Sequence, residues 1–186
     1  MKLLPFFLLS LFLLVGCGKP NLDNPAKLNE ILEEAIDGDK LQWRGKEGEK
    51  LGYAPNSQTP YTGWVKAMHE NGQVSVLYQL KDGKQHGLAT SWHENGEKYW
   101  ETNYKDGKPR GLVTAWHENG QKRGENNYKD GKLHGLVTSW HENGQKRGET
   151  NYKDGKQHGL RTWWDEDGNV ESKDKRENGE KVEEIK

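Results

Sequence analysis

The chain has 186 residues, 31% of them apolar, and a formal charge of −1. All three Phe and seven Leu lie within residues 1–16, so about 26% of the rest is apolar, far below the 45–50% of ordinary globular chains. A thick two-layer core is thereby excluded, the 23 Gly, eight Trp and seven Tyr exclude a solvated tail, and neither a basic nucleic-acid surface nor a multi-Cys site fits one Cys and near-neutral charge.

Met1-Lys2 opens the apolar run Leu3–Val15, the n-region and h-region of a secretory signal over 1–16. As a helix this run spans about 20 Å, short of the ~30 Å hydrocarbon core, which predicts a leader and no permanent span. It ends in Leu14-Val15-Gly16-Cys17, which resembles the bacterial lipobox. That resemblance implies that Cys17 becomes a lipidated N-terminus, tethered through 17–23, with a membrane as its partner. Gly18 stands where an Asp would redirect sorting, which implies the outer membrane of the cell envelope in a Gram-negative host. The modification supplies several acyl chains, so a basic patch is not required for stable anchoring.

Asn24-Pro25 predicts a helix start, with Asn as N-cap and Pro at the first helical position. Leu28, Ile31, Leu32, Ala35 and Ile36 follow at helical spacing, and Gly38 closes the expected helix over 24–38. It either caps the first hairpin or serves as a free spacer. Residues 39–60 read as a degenerate hairpin, Leu41-Gln42-Trp43 against Leu51-Gly52-Tyr53, and a Pro-containing loop.

From 61 to 182 one pattern repeats every 24 residues. His-Glu-Asn-Gly recurs at 69–72, 93–96, 117–120 and 141–144, with Asp165-Glu166-Asp167-Gly168 in fifth place. Lys-Asp-Gly-Lys recurs at 81–84, 105–108, 129–132 and 153–156, and Gly63, Gly87, Gly111, Gly135 and Gly159 keep the same step. Asn-Gly and Asp-Gly are strong hairpin signals, so each unit is two strands and two turns. A three-residue loop Glu94-Asn95-Gly96 pairs His93 with Glu97 and predicts Leu88, Trp92, Trp100 and Tyr104 on one face. Trp92, Trp116, Trp140 and Trp164 then form one row and Tyr104, Tyr128 and Tyr152 another on that same face. Gly124 and Gly148 are expected beneath the indoles of Trp116 or Trp140. These aromatics read either as the core of a thin sheet or as a ligand platform. Residues 183–186 form a tail, and the charged last hairpin closes the open edge.

The pattern Gly-Leu-Val-Thr-x-Trp-His-Glu-Asn-Gly-Gln-Lys-x-x-Glu-x-Asn-Tyr-Lys-Asp-Gly-Lys resembles the MORN-repeat variant family. The resemblance implies an all-β fold, an elongated antiparallel meander of stacked hairpins, here with a short N-terminal helix. Members often carry the label of a toxin–antitoxin antitoxin component, which fits an exported lipoprotein poorly.

Catalytic and metal chemistry find little support in the sequence. His93-Glu94-Asn95-Gly96-Glu97 begins like a zincin motif without its second His, and Asp165–Asn169 has calcium-like spacing over too short a stretch. Histidines 24 residues apart sit about 9.6 Å apart across two strands, each beside a turn. The expectation is a non-catalytic scaffold without metal or cofactor, binding a protein or peptide. The alternative is a glycan or cell-wall binder using the Trp row.

Overall fold

A computed structural model describes residues 19–185, so the leader and Cys17 lie outside the described residues. The first elements are helix α1 (Pro25–Glu34), strand β1 (Ile36–Asp37), a single 3-10 turn Gly38–Lys40, and the hairpin β2 (Gln42–Arg44) with β3 (Leu51–Tyr53). The Asn24 side chain caps α1 by accepting from the N–H groups of Ala26 (3.0 Å) and Lys27 (3.3 Å). The helix closes at Glu34 and not at Gly38. Ile36 and Asp37 pair in parallel with Val65 and Lys66, and that pairing draws the backbone from Ala35 onward into an extended conformation.

Eleven strands then run as one meander. They are β4 (Gly63–Met68), β5 (Val74–Lys81), β6 (Lys84–Trp92), β7 (Lys98–Lys105), β8 (Lys108–Trp116) and β9 (Lys122–Lys129). β10 (Lys132–Trp140), β11 (Lys146–Lys153), β12 (Lys156–Trp164), β13 (Val170–Glu177) and β14 (Glu180–Glu184) complete it. Each strand pairs antiparallel with its successor, and β1 adds the twelfth strand beside β4. The stacked-hairpin architecture expected from the repeat is the one observed.

The two turns differ in kind. Lys105 pairs with Lys108 around a two-residue loop in which Asp106 (φ 51°) and Gly107 (φ 81°) are both left-handed, the type I′ geometry that matches strand twist. At the other rim His93 N–H donates to Glu97 O (2.8 Å) and Gly96 N–H to His93 O (3.0 Å), the expected three-residue loop with glycine left-handed. One step further the register slips: Trp92 pairs with Lys98, but Ser91 pairs with Trp100. The bulge recurs at Ala115/Trp116, Ser139/Trp140 and Trp163/Trp164. A one-residue slip moves every later side chain to the opposite face. Leu88, Thr90 and Trp92 therefore share a face with Glu101 and Asn103, while Trp100 and Tyr104 lie on the other. The expectation of Leu, Trp and Tyr on one face is corrected: the sheet has a Trp face and a Tyr face. The same slip removes Gly124 and Gly148 from under Trp116 and Trp140. A Cβ on Gly148 would lie 2.8 Å from the Trp163 ring on the Tyr face, and one on Gly124 would meet only the Thr138 carbonyl.

Side chains of each turn bind the next turn. His69, His93, His117 and His141 each place Nε2 2.9–3.2 Å from the carbonyl of the Trp 23 residues on. A carbonyl only accepts, so Nε2 carries the proton. Asn71, Asn95, Asn119 and Asn143 each accept from the N–H two residues on and donate through Nδ2 to the next turn's Glu carbonyl at 2.8 Å. Along the opposite rim, Gly107, Gly155 and Gly179 donate N–H to carbonyls of the preceding unit at 2.8–2.9 Å, and Gly131 does so at 3.3 Å. Among the described residues the fifth unit has no turn of this kind beyond it, and there Asp165 and Asp167 replace His and Asn. Asp165 instead accepts from Asp167 and Asn169 within its own loop. Local closure of a terminal turn accounts for that sequence without calcium.

Both ends of the array are modified. N-terminally, α1 covers the Trp face, burying Ile31 and Ala35 with Leu22 against Leu77, Leu88 and Trp92. Leu41 crosses to the Tyr face and buries Val65 and Leu80, with Ile36 beside them. At the C-terminal end Asp174, 3% exposed, accepts from Arg161 and from Arg176 Nε at 2.8 Å. Burial pushes the Asp174 carboxyl up, but the two guanidinium groups outweigh it and hold it below the usual carboxylate range. The last strand, Glu-Lys-Val-Glu-Glu, is exposed throughout, a charged edge that discourages further pairing.

Asn119→Asp keeps the acceptor for Gln121 but removes the donor to Glu142, so it should cost about 0.5–1.5 kcal/mol. Asp167→Asn, beyond which the described residues hold no later turn of this kind, should change stability by less than about 0.5 kcal/mol. Urea midpoints of the two variants check this, and equal shifts would contradict the turn-to-turn role.

Candidate functional site

The two faces differ in what covers them. On the Trp face the repeat places Leu, Thr and Trp of one strand beside Lys and Glu of the next. Under α1 this surface is closed: Leu88 is 3% and Trp92 8% exposed. Beyond α1 the same positions open, with Leu112 at 45%, Leu136 at 41% and Leu160 at 40%. Trp116, Trp140 and Trp164 are half-buried. Lys98 Nζ lies 5.7 Å from the Trp116 ring centre and Lys122 Nζ 5.9 Å from that of Trp140, within range of cation–π attraction.

Lys98 is the most constrained of these lysines. It donates to Glu101 (3.0 Å) and pairs with Asp23 (2.8 Å), the residue just before the α1 cap. Burial works to lower the Lys98 ammonium, but the Asp23 and Glu101 carboxylates outweigh it and raise it above the usual range. Among the described residues its counterparts Lys122 and Lys146 pair with Glu125 and Glu149 alone, each at 2.5 Å. Between the start of α1 and Trp116 opens a cleft of about 520 Å³ lined by Leu22, Asp23, Trp92 and Lys98.

Of the residues singled out from sequence, Trp92, Trp116, Trp140 and Trp164 stand in one row on the Trp face. Tyr104, Tyr128 and Tyr152 stand on the opposite face and are half-buried there, so the two sets do not form one platform. Burial pushes the Tyr104 phenol up, with Tyr128 adding to the effect. Sequence reasoning passed over Lys98, Lys122 and Lys146 and the open leucines. Their 24-residue spacing was the available signal. Among the described residues, no group of three or more His, Cys, Asp or Glu could hold a metal ion, and no helix is long and apolar enough to cross a membrane.

Residues 85–106, 109–130, 133–154 and 157–178 each match a family model described as MORN repeat variant. Each match begins in the first strand of a hairpin and ends at or near the type I′ turn. No curated protein matches the chain.

The covered and open tryptophans make separable predictions. Trp92→Ala, emptying a buried site under α1, should cost about 3–5 kcal/mol. The value expected of Trp140→Ala from sequence, about 3–5 kcal/mol for a buried ring, falls to about 1–3 kcal/mol for a half-buried one. Denaturant melts compare them, and a Trp140→Ala cost equal to that of Trp92→Ala would show the open face to be core.

Proposed function

The chain belongs to the MORN repeat variant family, and from that premise we propose that it is a non-catalytic binding scaffold held at a bacterial envelope membrane by lipid on Cys17. The single observation that carries the binding role is the open Trp face. One and the same residue pattern is closed at Leu88 and Trp92 by a segment of this chain and left open at Leu112, Leu136 and Leu160. A row of exposed apolar side chains repeated at fixed spacing marks an interaction surface. The anchoring is supported by the leader and the Leu14-Val15-Gly16-Cys17 sequence, with outer-membrane sorting following from Gly18 where the host is Gram-negative. The occupant is a protein or peptide.

A glycan of the cell wall is the second reading. It is favoured by the half-buried Trp116, Trp140 and Trp164, spaced about 9.6 Å apart along the stacking direction. A photo-crosslinking side chain at position 136, introduced in cells, distinguishes the two. Protein adducts support the scaffold, and adducts confined to wall polysaccharide replace it with the glycan reading. In the same cells Cys17→Ser should leave the chain unprocessed or soluble. A variant that still matures to the parental size and stays in the detergent-extractable membrane fraction would contradict the anchor.

A further inference from the structure

The open Trp face has one ligand already in view, and it is α1. The helix crosses the strands: Asp23, ahead of its cap, pairs with Lys98 on β7, and the Leu32 carbonyl near its end accepts from Lys66 Nζ on β4 at 2.7 Å. Ten residues rise about 15 Å, which matches the three strand spacings of about 4.8 Å from β7 to β4. The N-terminal end of α1 therefore points along the stacking direction at the uncovered units, and the cleft beside Trp116 lies where it stops.

The receptor positions continue beyond that point. Leu88 and Trp92 become Leu112 and Trp116, then Leu136 and Trp140. Two positions change under the open stretch: Val74 gives way to Lys98, Lys122 and Lys146, and Leu77 to Glu101, Glu125 and Glu149. The apolar strip is thus narrower and bordered by lysines. Lys98 shows how such a lysine engages a helix, because it keeps Glu101 and takes an acidic residue from the α1 segment as well.

Resting on the protein-scaffold reading, we propose that the Trp face binds an amphipathic α-helix of a partner protein, laid end to end with α1 across β8 to β13. Five strand spacings come to about 24 Å, the rise of roughly 16 helical residues. Leucines recur every ~9.6 Å along the face, and residues seven apart on a helix recur every ~10.5 Å. The occupant therefore carries large apolar residues at heptad spacing, flanked by Asp or Glu that meet Lys122 and Lys146. Continuity with the α1 contact and the row of lysines select this occupant over an extended strand, which would need a free sheet edge.

The test uses the full-length protein in detergent, with empty micelles subtracted. The probe is a fluorescent peptide copying residues 21–36 with Asn29→Lys, held helical by a lactam between the amine introduced there and the Glu33 carboxyl, both positions being exposed in α1. Saturable binding is expected, weakened at least tenfold by Leu112→Glu with Leu136→Glu. Both sites are exposed, and unchanged melts of the double variant confirm that it folds. Lys146→Glu should weaken binding threefold or more, with recovery when Asp23 of the peptide is changed to Lys. Absence of saturable binding, or equal binding to the double variant, overturns the proposal. Self-association that the double variant abolishes also overturns it, by giving the face to a second copy. Protein adducts at position 136 without peptide binding would retire the helix and keep the scaffold, whereas loss of both would retire both.

Discussion

Stacking in this sheet depends on hydrogen bonds that pass from one turn to the next along both rims, because single hairpins of this composition bury too little to hold themselves. A unit such as 109–132 offers one Leu, one Trp and one Tyr of any size, and the slip at each Trp divides them between two faces. At one rim His93 and Asn95 reach the carbonyls of Trp116 and Glu118; at the other Gly107 reaches Gln85. With each bond contributing about 0.5–1.5 kcal/mol, three per unit add roughly 3 kcal/mol. An array held this way is one-dimensional, and its ends must differ from its middle. The terminal Asp165, which accepts within its own loop, and Asp167, whose carboxylate has no amide donor to pass onward, follow from that rule, as does the N-terminal segment wrapped over both faces.

The motifs that a metal or catalytic reading would first seize on are explained by the same bonds. His-Glu-Asn-Gly requires His for a donor that reaches a carbonyl, Asn for a group that accepts within its own turn and donates to the next, and Gly for the left-handed position. Each of these residues acts on its neighbour's backbone. What those bonds leave uncovered lies on the Trp face, where Leu112, Leu136 and Leu160 stay exposed and α1 packs over one end.

Much of this was legible in the residues. The 24-residue period, the two turns, the Asn24 cap and the loop pairing His93 with Glu97 all follow from local rules acting within a few positions. The division of faces was not, because it hangs on a bulge between Ser91 and Trp92 that no single residue announces; Tyr104 changes side on account of it. Helix α1 stops early for a tertiary reason, since Ile36 finds a better partner in Val65 than in another helical turn. The exposure of Leu112 beside the burial of Leu88 is a matter of where α1 ends, which periodicity alone does not record.

The most direct test of the account is excision. Removing residues 117–140 deletes one full unit and restores both the rim bonds and the faces, so the protein should fold to the same type of circular dichroism spectrum. Its urea m-value should fall in proportion to the lost surface. Removing only residues 129–140, half a unit, joins unlike turns and should leave a chain that does not unfold cooperatively. A 24-residue deletion that fails to fold, or a 12-residue deletion that melts as sharply as the parent, would contradict the claim that the turn-to-turn bonds define the unit.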